Sequence, residues 1–166
     1  MATTTPVKVG LIGGESGDPK DISPSQLPRT LEKIEIWSSD DGPRSGGVIN
    51  GIRFTYVDTK GVRHVVPSRS GAAWGTTSGR FHEFKIATGA KEYVRRIDGT
   101  TGPCPDGDTG VTSLTITTST GKTATYGDPC NGTAFSVPLD NAGIFAFFAN
   151  ADTYLNALGF YTQPYP

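Results

Sequence analysis

The stretch Gly132-Thr133-Ala134-Phe135-Ser136-Val137-Pro138-Leu139, then Gly143-Ile144-Phe145-Ala146-Phe147-Phe148, then Tyr154-Leu155-Asn156-Ala157-Leu158-Gly159-Phe160-Tyr161, closing on Gln163-Pro164, decides how this chain folds. β-Branched and aromatic residues crowd into runs of strand length, and turn-forming residues separate them. Such side chains fit a pleated, half-buried surface, so strands are expected over 133–139, 143–148 and 154–162. Phe145, Phe147 and Phe148 are read as core rather than as a ligand platform.

The same texture extends upstream. Residues 111–118 and 122–126 read as a hairpin turning at 119–121, with Leu114 and Ile116 facing in. Residues 80–87 and 91–98 read as a strand pair about Thr88-Gly89-Ala90. Between these pairs, residues 99–110 (Gly-Thr-Thr-Gly-Pro-Cys-Pro-Asp-Gly-Asp-Thr-Gly) form the longest stretch without strand character. Residues 31–37 alternate, with Ile34 and Ile36 on one face and Lys33 and Glu35 on the other, the period of a strand. Residues 48–57 carry Ile52, Phe54 and Tyr56 in phase, and Thr59-Lys60-Gly61 turns the chain into 62–67. A glycine-rich loop over 68–79 carries Trp74, and an irregular connection fills 19–30. The first strand, 7–12, runs into Gly13-Gly14-Glu15-Ser16-Gly17, whose clustered glycines mark a tight loop or a close backbone approach. About eleven strands result, roughly one every 8–12 residues, with no helix, an all-β pattern that a sandwich or closed prism accommodates. Strand-rich blocks of about 40–50 residues point to a threefold pseudo-repeat.

Composition narrows the function. The chain has 166 residues, with 22 Gly, 12 Pro and a formal net charge of −1, and reads as one domain over 1–166. So small a charge gives no general attraction to nucleic acid or anionic membrane. No apolar run of about 18 residues is present to insert into a membrane. Met1-Ala2-Thr3-Thr4-Thr5-Pro6 has no basic start or apolar run of a signal peptide, so a cytoplasmic or unconventionally secreted protein is expected unless a leader was removed. His64 and His82 sit in strand patterns and read as partly exposed strand residues. No metalloprotease, nucleophile-elbow, Walker or dinucleotide motif occurs, and neither an enzyme nor a cofactor is expected. Asp106-Gly107-Asp108-Thr109-Gly110 resembles the opening of a calcium loop, but Thr117 stands where the twelfth, acidic ligand belongs, so no metal is expected. Asn131-Gly132-Thr133 fits a glycosylation sequon. Cys104 lies just before the 111–126 hairpin and Cys130 just after it, so a Cys104–Cys130 disulfide across its open end is expected.

The C-terminal stretch closely resembles the last strands of jacalin-related lectins, which read Gly-Thr-x-Phe-Ser-Leu-Pro, then an apolar strand ending Gly-Phe-Phe-Gly, then Tyr-Leu-Asp-Ala-Ile-Gly. Glu92-Tyr93-Val94-Arg95-Arg96-Ile97-Asp98-Gly99 is similar to the family's Glu-Tyr-Ile-x-x-Ile-x-Gly, and Val9-Gly10-Leu11-Ile12-Gly13-Gly14-Glu15-Ser16-Gly17 to its opening. The resemblance implies a β-prism of three four-stranded Greek-key sheets. It implies a lectin binding mannose- or glucose-type glycans, as free sugars or on glycoproteins, and it leaves room for a homodimer. Family members that prefer galactose are cleaved just before the glycine loop, whereas here residues 1–12 run unbroken into Gly13. Carried over by position, the sugar site falls on Gly17, Asp152, Thr153, Tyr154 and Asn156. The family's Gly-x-x-x-Asp loop is altered at both ends, with Asp152 in place of Gly and Asn156 in place of Asp. Two other readings stay open. One is a protein-interaction or structural prism with a degenerate sugar site. The other is a glycoside hydrolase using two of Glu15, Asp18, Asp140 and Asp152.

Overall fold

A computed structural model describes residues 6–68, 71–139 and 141–164. The strands in chain order are β1 (Val7–Gly13), β2 (Asp18–Lys20), β3 (Pro28–Ser39), β4 (Val48–Asp58), β5 (Arg63–Val66), β6 (Trp74–Gly75), β7 (Arg80–Lys85), β8 (Val94–Pro103), β9 (Thr109–Thr118), β10 (Thr123–Gly127), β11 (Thr133–Pro138), β12 (Ala142–Ala151) and β13 (Leu155–Pro164).

Pairing sorts them into three faces. Face I runs β1-β13-β12-β2, face II runs β5-β4-β3-β7 with the short β6 also on β4, and face III runs β10-β9-β8-β11. Faces I and III touch through one bridging pair, Ile144 with Val94. Each face has a long antiparallel hairpin at its centre (β3–β4, β8–β9, β12–β13), flanked by the strand pair that completes a Greek key. Face I is closed by the first strands of the chain: β1 lies on β13, with Val7 opposite Thr162, and β2 lies on β12.

Alternation turns one side of every face inward. Ile34 and Ile36 of β3, Ile52, Phe54 and Tyr56 of β4, Ile97 of β8, Leu114 and Ile116 of β9, Phe147 of β12 and Leu158 and Phe160 of β13 are buried in one core shared by all three faces. Phe54 meets Trp74 and Phe147 edge-on, with ring centroids 5.2 Å apart in both pairs. Phe145 and Phe147 are buried, as expected. Phe148 is half-buried and holds the Lys8 ammonium 4.3 Å above its ring.

Three local expectations are corrected. The segments around Thr88-Gly89-Ala90 do not pair with each other: β7 pairs with β3, β8 pairs with β9 and β11, and Thr88–Ala90 is a 3-10 turn passing the chain from face II to face III. Most of the stretch 99–110 is strand, because β8 continues to Pro103 and β9 begins at Thr109. The irregular 19–30 segment gives up its ends to β2 and β3.

Candidate functional site

Each central hairpin carries a β-bulge in its second strand near the tip. In β4 the extra residue is Asn50, since Trp37 pairs with Gly51 and Ser38 with Ile49. In β9 it is Thr112, and in β13 it is Asn156. A bulge leaves one residue unpaired and re-aims it. The surroundings repeat as Ile49-Asn50-Gly51-Ile52, Val111-Thr112-Ser113-Leu114 and Leu155-Asn156-Ala157-Leu158. The bulge carbonyl accepts an N–H from the connection between the outer strands at 2.9 Å in every face: Gly14 N–H to Asn156 O, Thr76 N–H to Asn50 O, and Asp128 N–H to Thr112 O. These contacts define three equivalent apices.

In faces I and II the connecting loop is Gly-x-x-x-Gly: Gly13-Gly14-Glu15-Ser16-Gly17 and Gly75-Thr76-Thr77-Ser78-Gly79. The closing glycines share a left-handed backbone, φ +91° at Gly17 and +90° at Gly79. A Cβ on Gly17 would lie 2.7 Å from Asn156 Oδ1, and one on Gly79 would lie 2.6 Å from Asn50 Nδ2. The glycines therefore let each loop lie on the side chain of its bulge residue. Composition alone did not single out Gly75–Gly79; the repeated Gly-x-x-x-Gly spacing is the signal that finds it.

The apices differ in how the bulge side chain is used. Thr112 donates to Asn131 O at 2.5 Å. Asn50 is engaged at both ends, with Nδ2 donating to Ser78 O at 2.8 Å and Oδ1 accepting from Ser39 at 3.4 Å. Asn156 donates Nδ2 to Thr109 O at 3.3 Å, but its Oδ1 has no partner, the one such buried side-chain polar atom among the described residues.

Hairpin tips and connections form a ring around the apex end. Tip II, the segment 40–47, leans on apex III. Gly127 N–H donates to Asp41 at 2.8 Å, and Asp128 accepts the N–H groups of Arg44, Gly46 and Cys130 at 2.8–2.9 Å. Burial pushes the Asp41 carboxyl up, but the Gly127 N–H, the Ser38 hydroxyl and His82 outweigh it and hold it below its ordinary value. Burial likewise opposes ionisation of Asp128, and the N–H groups of Cys130, Gly46 and Arg44 outweigh it. Tip III leans on apex I through Thr109, and tip I leans on apex II, where the Thr76 hydroxyl donates to Thr153 O at 3.2 Å.

The expected site residues come together at apex I. Ala151 pairs with both Leu155 and Asp18, so Asp152-Thr153-Tyr154 is a short tip beside the glycine loop. Asp152 and Thr153 are exposed, Gly17 and Tyr154 half-buried, and Asn156 is 2% exposed beneath Gly17. Glu15 and Asp18 are exposed in the same loop region, and Asp140 lies outside the described residues. A cavity of about 430 Å³ lies elsewhere, lined by Asp21, Gln26, Tyr56, His64 and Trp74 among others, and none of the apex I residues lines it.

The disulfide is not formed: Cys104 and Cys130 are both free. Cys104 is buried, its sulfur packed over Gly110, while Cys130 is exposed in the connection after β10. His64 and His82 lie in β5 and β7, and each meets a carboxylate: His64 Nε2 is 2.7 Å from Asp58 Oδ2 and His82 Nε2 is 3.0 Å from Asp41 Oδ2. The Asn131 amide of the sequon donates to Gly47 O. No cluster of His, Cys, Asp and Glu fit to hold a metal occurs among the described residues.

Three Greek-key faces closed on one core, with a hairpin tip and a connecting loop meeting at each apex, define a β-prism. The description of a jacalin-like lectin domain matches residues 9–161. Horcolin from Hordeum vulgare subsp. vulgare is 40% identical over 160 residues, which cover 96% of this chain and 98% of that protein. A mannose/glucose-specific lectin from Parkia pendula is 30% identical over 162 residues, 95% of this chain but 32% of that longer protein. The solved structure of AcmJRL, a mannose-binding jacalin-related lectin from Ananas comosus, is 31% identical with a TM-score of 0.81, covering 96% of this chain and 99% of that one. The chain belongs to the jacalin-like lectin family, and it is a carbohydrate-binding lectin rather than an enzyme.

Proposed function

We propose that the chain binds hexoses of the mannose/glucose type at apex I, through Gly17, Asp152, Thr153, Tyr154 and Asn156. The observation that carries this reading is the unpartnered Asn156 Oδ1 beneath Gly17. A buried acceptor without a donor costs about 1–3 kcal/mol. Such a group calls for an explanation, and a hydroxyl hydrogen from a ligand at the glycine loop is one. The other two apices have spent the matching side chain on internal bonds.

A hexose needs rigid donors and acceptors at short spacing. The N–H groups of Thr153 and Tyr154 donate from a tip too short to reorganise much. Asp152, exposed at the rim, accepts from adjacent hydroxyls. Tyr154 offers its ring face to the apolar side of the sugar. The names of the Parkia and Ananas relatives support mannose- or glucose-type ligands over galactose.

Calorimetry with methyl α-mannoside tests this. Gly17→Val should abolish binding, because a Cβ there would meet Asn156 Oδ1 at 2.7 Å and push the loop off Asn156. Asn156→Ala should weaken it by about 1–2 kcal/mol, the worth of a partly buried side-chain hydrogen bond. Wild-type affinity in both variants would place any sugar elsewhere. Absence of all glycan binding by the wild type would favour the protein-interaction reading, for which the altered residues Asp152 and Asn156 are the supporting feature.

A further inference from the structure

The cavity of about 430 Å³ belongs to none of the three apices: no residue of the glycine loops 13–17 and 75–79 or of the three hairpin tips lines it. It lies where the connection 21–27, passing from face I to face II, meets β5, the edge strand of face II. Tyr56 in its lining stands six residues beyond the Asn50 bulge of β4, about 20 Å along the strand. We propose that this cavity binds a neutral polyol of monosaccharide size through Asp21, Ser23, Gln26 and His64, a second site independent of apex I.

The walls are held in place before any ligand arrives. Tyr56 is fully buried and donates its hydroxyl to Gln26 O at 2.7 Å, and Leu27 O accepts the Thr59 N–H at 3.1 Å. Burial, with Asp58 and Asp21 nearby, pushes the Tyr56 phenol up to about 12, so it remains a donor at neutral pH. At the other end of the connection, Asp21 Oδ1 accepts the Tyr161 hydroxyl at 2.5 Å and the Ile22 N–H at 2.8 Å, and the Ile22 side chain is buried. A segment without regular structure is thus pinned at both ends, and a ligand meeting it loses little ordering entropy. The volume falls within the roughly 300–1,000 Å³ of small-molecule sites. Tyr56, His64 and Trp74 add aromatic surface for the C–H side of a ring.

Every charge in the walls already has its counter-charge. Lys8 Nζ is 2.7 Å from Asp21 Oδ2, Arg63 gives Glu32 two hydrogen bonds at 2.8 and 3.1 Å, and His64 Nε2 is 2.7 Å from Asp58 Oδ2. An ion entering the cavity would have to break one of these pairs, so a neutral occupant is favoured. Hydrogen-bonding capacity is what remains. Asp21 Oδ2 keeps a further lone pair. The His64 hydrogen bond holds the Asp58 carboxyl below its ordinary pKa; Nε2 therefore carries the proton, and Nδ1 of the neutral ring accepts. The Ser23 hydroxyl and the Gln26 amide each donate and accept. Acceptors and two-way groups around aromatic surface match a ring that carries many hydroxyls.

The test is an NMR titration of the isotope-labelled chain with myo-inositol, on the wild type and on Gly17→Val, in which apex I is closed. In both, the amides of Ser23, Gln26, His64 and Val65 should shift and saturate with a dissociation constant on the order of 1 mM, the worth of a few neutral hydrogen bonds. Ser23→Ala/Gln26→Ala should leave the rest of the spectrum in place, because Ser23 is exposed and Tyr56 bonds the backbone of Gln26, and should weaken binding about tenfold. Inositol monophosphate should bind less tightly than inositol. Shifts confined to Gly17 and residues 152–156, no saturable shift at all, or an unchanged affinity in the double variant overturns the site. Tighter binding of the monophosphate overturns the neutral class of ligand. None of these results bears on hexose binding at apex I.

Discussion

Asn156 keeps a buried acceptor unpartnered, at a cost to the fold. Its amide nitrogen anchors to Thr109 O while its oxygen stays unpartnered. The sequence pattern alone favours Asp here, since a charged acceptor makes the stronger hydrogen bond. For stability of the fold the structure points the other way. In Asn156→Asp the Nδ2 donor is lost, and a carboxylate oxygen faces the Thr109 carbonyl in a site 2% exposed. Burial would raise the new carboxyl's pKa. A folded pKa above the unfolded one means a penalty at neutral pH that shrinks as pH falls through the folded value. Asn156→Asp should therefore melt below wild type at pH 7, with the gap closing toward about pH 4, the unfolded carboxyl value. Equal melting temperatures at pH 7 would show that the carboxylate finds a donor there.

Tip II is an element whose place is set by two carboxylates rather than by apolar contact. Asp128 alone satisfies three backbone N–H groups, two of them on the tip. Asp128→Ala leaves those donors bare, so the melting temperature should drop and the amides of Arg44 and Gly46 should exchange faster. Amides in β12 and β13 should keep their protection. Protection at Arg44 and Gly46 as in wild type would show that the pin is not needed. Elements held by local pairing were legible in the sequence: the 111–126 hairpin and the alternation in 31–37 both appear where expected. Those held by distant partners were not. Thr88-Gly89-Ala90 looks like a hairpin turn, yet its flanking strands pair with β3 and β9. Glycines hid the second half of β8 and the start of β9, because glycine signals a turn in sequence. In fact a Cβ on Gly99 would strike the Phe135 ring, and one on Gly110 the Cys104 sulfur. These glycines mark close packing. The position of the candidate site was legible through its altered tip motif. The bulge that aims Asn156 was not, since a bulge shows only in pairing register.

At the scale of the whole molecule, stability in acid and the order of the chain are both set by the three-face plan. Asp58, Glu92 and Asp98 are held below their ordinary pKa, chiefly by His64, the Ala87 N–H and Arg96 respectively, and Asp41 and Asp128 by the ring of apex contacts. A depressed folded pKa gives stability that is full above the unfolded value and is lost as pH falls through the folded one. The melting temperature should hold from pH 7 to about 5 and fall steeply below about 4; a flat profile to pH 3 would contradict these assignments. The closure of face I makes a sharper demand. Its hairpin β12–β13 comes last in the chain, while its outer strands β1 and β2 come first. Val7 pairs with Thr162, so residues 6 and 164 lie near each other. A short Gly-Ser linker between them, with new ends at Gly89, yields a circular permutant in which each face is one unbroken run of chain. The Thr88–Ala90 turn contributes no buried residue, so the cut removes little. This permutant should melt within a few degrees of the parent and keep its hexose affinity, because Gly17 and 152–156 are untouched. A permutant opened at Gly121 instead separates β9 from β10 within face III and should be clearly less stable. Gly121 is as unencumbered as Gly89, with nothing near its Cβ position, so local crowding does not distinguish the two cuts. If both permutants melt alike, the face is not the unit of stability, and the threefold plan describes geometry without describing energetics.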